Sequence, residues 1–348
     1  MAGNKEKGNG NDKDYLFGML DSDDVRTGLV SGKTFINKPI QYAVVDGMAV
    51  FEGCIVLGKA DEIEKHTQET QKVSVEDAGG VIAHGVGITG DQYRWPNGLV
   101  PYVIDSGLPN KSRVTNAIAH WEQNTNIRFV ERTSSNASQY PDYVNFRSAS
   151  GCWSYVGRQG GKQDIGLASG CSTGNTIHEI GHAVGLWHEQ SREDRDLHIN
   201  VHWNNIISGK EHNFDQHITD GDDYGPYDYN SIMHYHATAF SKNGQPTITT
   251  IPPGQSIGQR SNLSNGDINA VHAMYITWHR YMNVALTYAS HHSENAWVYI
   301  SSMGWRKIKT GSADGITNMF AAFCEAKANS RKVNVYADGS NVYRMELL

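Results

Sequence analysis

Apolar residues alternate and cluster between positions 40 and 58, where Ile40, Tyr42, Val44, Val45, Val50, Phe51, Ile55 and Val56 flank an Asp46-Gly47 pair. Such alternation, interrupted by Asp-Gly, predicts two short strands joined by a tight turn. Residues 59–80 are charged and show no periodic apolar face, so they read as a linker. The pattern resumes near Gly90. Leu99–Ile104 predicts a strand, Val114, Ile118 and Trp121 mark one face of a helix, and residues 127–130 predict the next strand. Strand, helix, strand at this spacing implies a parallel pair crossed by a helix. Further strands are expected at 143–146 and 153–156. Helical character is expected in the first three turns of 175–189, around 201–214 and over 267–275. Beyond Tyr275 come four short apolar runs, at 285–288, 297–300, 319–323 and 333–336, separated by Ser, Asn and Gly. They predict a small all-β unit over 276–348.

Composition narrows this picture more than it extends it. The chain has 348 residues and a formal net charge of -7, with no basic block, which argues against a nucleic-acid partner. No apolar run approaches the roughly 20 residues of a membrane helix. Residues 1–14 are polar and rich in Gly, Asn and Lys, which predicts disorder. They lack the apolar core of a signal peptide, so export implies a leader already removed, with Met1-Ala2-Gly3 as a cloning remnant. Four cysteines, Cys54, Cys152, Cys171 and Cys324, permit three full pairings, among which spacing alone does not choose.

The chemistry gathers in His178-Glu179-Ile180-Gly181-His182-Ala183-Val184-Gly185-Leu186-Trp187-His188-Glu189. On a helix, positions i and i+4 share a face, so His178 and His182 can reach one ion. Gly185 lets the backbone leave the helix with positive φ and return His188 to the same place. Three neutral imidazoles with an open fourth position describe a catalytic zinc, one per chain, because structural zinc is closed by four protein ligands. Glu179 stands beside the pair, placed to take a proton from the attacking water. The plainer alternative is a set of surface histidines on an amphipathic helix, which the full motif disfavours.

With these residues in view, the chain resembles the metzincin peptidases, and within them the astacin family. The run His188-Glu189-Gln190-Ser191-Arg192-Glu193-Asp194-Arg195-Asp196 is similar to the astacin signature. Ser231-Ile232-Met233-His234-Tyr235 resembles its Met-turn. The resemblance covers about residues 90–275. It implies an α+β fold with a twisted mixed sheet and a metal-binding helix, Met233 as a structural floor, and Tyr235 as a switchable zinc ligand that steadies the oxyanion. It also implies that Glu189 anchors a processed N-terminus, against the alternative of a solvent-facing glutamate. A disulfide between Cys152 and Cys171 is implied as well, worth roughly 3 kcal/mol in the chain-entropy model. The family's second common disulfide has no matching cysteines here.

Phe51-Glu52-Gly53-Cys54 resembles the segment of astacin propeptides that normally carries an aspartate on the zinc. A thiolate is a better zinc ligand than a carboxylate. Cys54 is therefore expected to take the fourth position in a latent zymogen, as in the cysteine switch of other metzincins and in bacterial astacin relatives such as myroilysin. A buried apolar role, or pairing with Cys324, is the alternative; Cys324 itself reads as an unpaired core thiol. The implied organisation is a disordered start at 1–14, an inhibitory propeptide and linker at 15–85, a catalytic domain at 86–275 and the β unit at 276–348. Processing is expected between Gly79 and Thr89.

The activity implied is that of a secreted, monomeric zinc endopeptidase whose partners are protein or peptide substrates and its own propeptide. Substrate is expected to add as a strand along residues 163–169. Ile257-Gly258-Gln259-Arg260 resembles the segment in tolloids and meprins whose arginine lines the pocket after the scissile bond. Arg260 would then favour Asp or Glu there, unless it is a solvated surface arginine. A zinc-holding adhesion or carbohydrate-binding protein is the reading from another class, and the presence of Glu179 argues against it.

Overall fold

The computed structural model describes residues 19–30, 37–70, 87–88, 91–216, 221–292, 295–310, 312–338 and 341–348. The expected disordered start and most of the expected processing stretch lie outside the described residues. Two compact units divide the chain: Met1–Trp95 with Leu99–Val271, and Pro96–Gly98 with His272–Leu348.

The first unit opens with an antiparallel sheet of four strands in chain order, β1 (Val25–Val30), β2 (Lys38–Val45), β3 (Met48–Phe51) and β4 (Ile55–Lys59). The Asp46-Gly47 turn forms as the sequence predicts, with both residues at positive φ, 51° and 77°. The linker expected at 59–80 is instead helical in its first part, as α1 (Ala60–Thr70). Two residues suffice to seat this short helix: Ala60 and Ile63 are its buried positions, and Asp61 and Glu62 favour its N-terminus. Gly28 makes the docking close, since a Cβ there would lie 2.6 Å from Ile63 Cγ2. Tyr42, Ala49, Phe51 and Ile55 complete this core together with Val156 and Trp187.

The central sheet has five strands, introduced here in chain order as β5 (Leu99–Ile104), β6 (Arg128–Glu131), β7 (Tyr143–Ser148), β8 (Cys152–Trp153) and β9 (Lys162–Leu167). Their order across the sheet is β6-β5-β7-β9-β8. Neighbours run parallel except the β9–β8 pair, so the sheet is mixed, as expected. The crossover helix α2 (Ser112–Asn124) buries Val114, Ile118 and Trp121, the face read from the sequence. Its Trp121 Nε1 donates to Ile177 O at 3.1 Å, which ties α2 to the following helix, α3 (Thr173–Ala183). The helical patch expected at 201–214 is reduced to two single 3₁₀ turns, Trp203–Asn205 and Glu211–Phe214, after a short strand, β10 (Ile199–Val201). β10 pairs with β11 (Ile248–Thr250). The helix expected near the end of the unit is α4 (Asn265–Met274).

The second unit is a closed barrel of β12 (Thr277–Ala289), β13 (Ala296–Ile300), β14 (Gly304–Ile308), β15 (Lys332–Ala337) and β16 (Asn341–Leu347). It is not all-β. The expected strand at 319–323 lies inside α5 (Ala313–Ala328), which Ser312 caps by accepting Gly315 N–H at 3.1 Å. A short unbroken apolar run reads equally as strand or buried helix, and the Ser cap with sixteen uninterrupted helical residues decides for helix. Phe323 and Ala326 bury against Val298, Ile300, Val333 and Val335. Cys324 is a free, half-buried thiol whose Sγ lies 3.5 Å from Thr287 Oγ1.

Candidate metal centre

Helix α3 begins with a reciprocal cap. Ser172 Oγ accepts Asn175 N–H at 3.1 Å, and Asn175 Oδ1 accepts Ser172 N–H at 3.0 Å. One turn later the apolar and metal-binding faces coincide, and every residue from Gly174 to Ala183 is buried. The helix stops at Gly185, whose φ of 111° is open chiefly to glycine, and Leu186 N–H returns to Gly181 O at 2.9 Å. That reversal carries His188 back to the histidines of α3. Beneath them sits Met233. A Cβ on Gly181 would lie 2.7 Å from Met233 Sδ, so only glycine admits the sulfur there without a shift.

The Met233 turn is held by one carboxylate. Asp267 accepts Ser231 Oγ–H at 2.6 Å, Ile232 N–H at 2.9 Å and Ser264 N–H at 2.8 Å. The turn's carbonyls are gathered in their turn by Arg260, whose Nη1 donates to Ile232 O at 2.7 Å and to His234 O at 3.1 Å.

His178, His182, His188 and Cys54 are all buried, and their ligating atoms lie within 4.8 Å of one another. Cys54 Sγ is 3.6 Å from His178 Nε2 and 3.3 Å from the Nε2 atoms of His182 and His188. Each Nδ1 faces an acceptor: Ile232 O at 2.8 Å for His178, Leu186 O at 2.7 Å for His182, and Glu52 Oε2 at 2.7 Å for His188. Three Nδ1–H donors fix three tautomers, and all three Nε2 lone pairs then point into one space. Burial drives His178 and His182 well below the ordinary imidazole range, which keeps them neutral. Burial pushes the Cys54 thiol well up, and the Glu179 carboxylate adds to this. A thiolate at this place therefore calls for a cation, and three neutral imidazoles around a sulfur are a zinc donor set. Glu179 is buried too, and desolvation raises it well above the usual carboxylate range while Arg260 opposes the rise. Its Oε2 is buried without a hydrogen-bond partner among the described residues.

Cys54 arrives on a tight turn, with Glu52 at φ 47° and Gly53 at φ 69°. Backbone bonds seat the turn: Ser154 N–H donates to Cys54 O at 3.0 Å, and Val56 N–H to Ser154 O at 2.9 Å. The expected docking edge at 163–169 is partly taken up by the chain itself. Strand β9 is paired with β7 along its length, and β8 covers its other side at Gly166 and Leu167, so the end of the expected edge nearest α3 is already occupied. Chain reversal after Ser148 brings β8 outside it, and the pairing at the metal centre is made by Ser154 instead.

The remaining predicted residues fall around the same centre. Tyr235 is buried with its ring 4.8 Å from that of His188, and its backbone N–H donates to Gln190 Oε1 at 3.0 Å. Arg260 is also buried and lines one cavity with Cys54, Glu179, His178, His188 and Tyr235, which removes the solvated-arginine alternative. Glu189 is not solvent-facing: it accepts Asp228 N–H at 2.8 Å, and desolvation pushes it up to about 8. Cys152 and Cys171 are joined as a disulfide. The sequence reading missed Glu52, Ser191 and Gln190, whose contacts span 45 to 139 residues of chain. The signals were indirect: Glu52 stands two residues before Cys54, and Gln190 and Ser191 fall within the signature-like run that starts at His188.

A histidine pair on a helix, a third histidine after a glycine turn and a methionine floor define a metallopeptidase type of domain. Residues 87–276 match the peptidase family described as Astacin. The chain belongs to the astacin family. Among its relatives, blastula protease 10 of Paracentrotus lividus is 46% identical over 53% of this chain and 32% of its own length. Zinc metalloproteinase nas-13 of Caenorhabditis elegans is 40% identical over 52% of this chain and 41% of its own. Among solved structures, the hatching enzyme high choriolytic enzyme 1 of Oryzias latipes is 38% identical, covers 52% of this chain and 92% of that one, and gives a TM-score of 0.48. The chain thus spans 32% and 41% of the length of these two curated relatives.

Proposed function

We propose that this chain is the latent precursor of a secreted zinc endopeptidase, closed by Cys54. The observation that carries this is the Cys54 sulfur, buried and within 3.6 Å of all three Nε2 atoms. His178, His182, His188 and Cys54 would hold one zinc with four ligands, the closed kind of site that leaves no position for water. Residues 15–85 are then an inhibitory propeptide and linker, and 86–275 the catalytic domain, in the manner of bacterial, myroilysin-like zymogens. The disulfide supports an oxidising, extracellular setting. No helix among the described residues is long and apolar enough to cross a membrane.

Once the propeptide leaves, a peptide takes over the backbone groups of Ser154 as an added strand. Zinc, when bound, lowers the pKa of the attacking water toward ~7 and polarises the scissile carbonyl. Glu179 accepts the proton of that water and passes it to the leaving amine. Tyr235 donates to the developing oxyanion. Glu189, beside the cavity lined by Trp187, Arg192, Tyr224 and Asp228, receives the ammonium of the processed N-terminus.

Casein hydrolysis by the unprocessed chain tests the assignment. The wild type should be silent, Cys54→Ala should show hydrolysis without processing, and a chelator should abolish it. Unchanged latency in Cys54→Ala would refute the plug, and chelator-insensitive hydrolysis would refute the metal.

A further inference from the structure

One carboxylate at the metal centre is not used by the chemistry above. Glu52 has no exposed surface, although it lies in the turn between β3 and β4 of the N-terminal sheet, in the segment read as propeptide. Its Oε2 accepts His188 Nδ1–H at 2.7 Å, and its Oε1 accepts Ser191 Oγ–H at 2.6 Å. The other two histidines rest on backbone carbonyls that stay with the catalytic domain, Ile232 O and Leu186 O. Only His188 borrows its acceptor from the segment that processing removes.

We propose that Glu52 is a positioning residue of the latent metal site, so that the propeptide supplies both the fourth ligand and the carboxylate that orients the third histidine. The proposal rests on the reading of Cys54 as the latent ligand.

Three observations carry it. The first is geometry: an imidazole that binds metal through Nε2 is oriented, and made more basic, by a carboxylate on Nδ1. The second is charge. A divalent cation with three neutral imidazoles and one thiolate retains one positive charge in a dry site. Glu52 brings that charge to zero. The third is backbone. Glu52 holds φ 47°, a left-handed conformation uncommon for a side chain of this kind. The next residue, Gly53, lies at φ 69°, and these two left-handed residues turn the chain so that thiol and carboxylate face the same cluster. Ser191 Oγ and the backbone bonds of Cys54 then keep the turn in place.

The consequence is a metal site assembled most completely in the precursor. Latency and retention of zinc come from the same turn, and processing removes a ligand and an outer partner in one step. The precursor is thus the form that acquires and keeps the ion.

The test uses the full-length chain with zinc alone, titrated against a chromophoric chelator, and the same chain loaded with cobalt(II). Glu52→Gln, which keeps the side-chain shape, should weaken zinc binding about 10- to 100-fold, the usual effect of losing an outer carboxylate partner. Ser191→Ala should weaken it in the same direction by less. The near-ultraviolet thiolate-to-cobalt band should persist in both variants, because Cys54 remains in place. Zinc binding by Glu52→Gln within about twofold of wild type would overturn the proposal. Loss of the thiolate band in Glu52→Gln would overturn it as well, by making Glu52 a former of the turn and not a partner of His188. Absence of that band from the wild type would instead remove Cys54 from the metal, and the chelator comparison would still decide on Glu52.

Discussion

Arg260 holds the Met233 turn, and we propose a second role for it in the substrate pocket that experiment can test. Nη1 is committed to the Ile232, His234 and Gln259 carbonyls, so part of its charge holds the Met233 turn. The same side chain borders the cavity lined by Cys54 and Glu179. If that cavity takes the substrate residue after the scissile bond, as we propose, clearing it would expose a cation to that residue. A charge-assisted bond to Asp or Glu there is worth about 1.5–3 kcal/mol, or roughly 10- to 100-fold. A peptide library cut by the processed enzyme should therefore show that acidic preference, and Arg260→Gln should lose kcat/KM selectively on acidic peptides. A flat profile in the wild type, or equal losses on acidic and neutral peptides, would take Arg260 out of the pocket.

Helix α3 shows what a metal-binding element demands of its neighbours. Gly174 lies in its first turn, where alanine normally stabilises a helix by up to about 1 kcal/mol. Here a Cβ would sit 1.7 Å from Arg260 O, which is backbone and cannot rotate away. Overpacking of this sort costs about 1–3 kcal/mol, so the clash outweighs the propensity. Gly174→Ala should lower the melting temperature of the latent chain by several degrees, at roughly 2–4 °C per kcal/mol. An unchanged or raised melting temperature would mean that helix and loop slide apart freely. The same element shows which parts of the protein were legible beforehand. His178, Glu179, His182, Gly185 and His188 were readable because their spacing is local and helical. Val114, Ile118 and Trp121 were readable for the same reason. Helix α1 was not, since two apolar contacts are too few to make a period, and residues 319–323 fit either template. The Glu52–His188 contact and the Ile55–Ser154 bridge depend on which distant segments meet, and no local pattern encodes that. Cys54 lay between these cases: its neighbours Phe51 and Gly53 marked it, and the fold brought it 124 residues along the chain to His178.

Across the whole molecule, metal and core are distributed unevenly. The zinc donor set belongs entirely to the first unit, whereas the barrel is closed around its own apolar residues, from Val298 and Ile300 to Phe323 and Val335. A ligand that binds only a folded state stabilises it by RT ln(1 + [L]/Kd), about 4 kcal/mol at a thousandfold excess over Kd. At roughly 2–4 °C per kcal/mol, that corresponds to a rise of about 8–16 °C in the melting temperature of a unit this large. Scanning calorimetry of the intact chain should then resolve two transitions. Adding a chelator should move one of them down by that amount and leave the other where it was. The transition that stays must be the barrel's, since it holds no part of the donor set. Two transitions that move together would mean that the units unfold as one body. A chelator that moves neither would mean that His178, His182, His188 and Cys54 hold no metal at all.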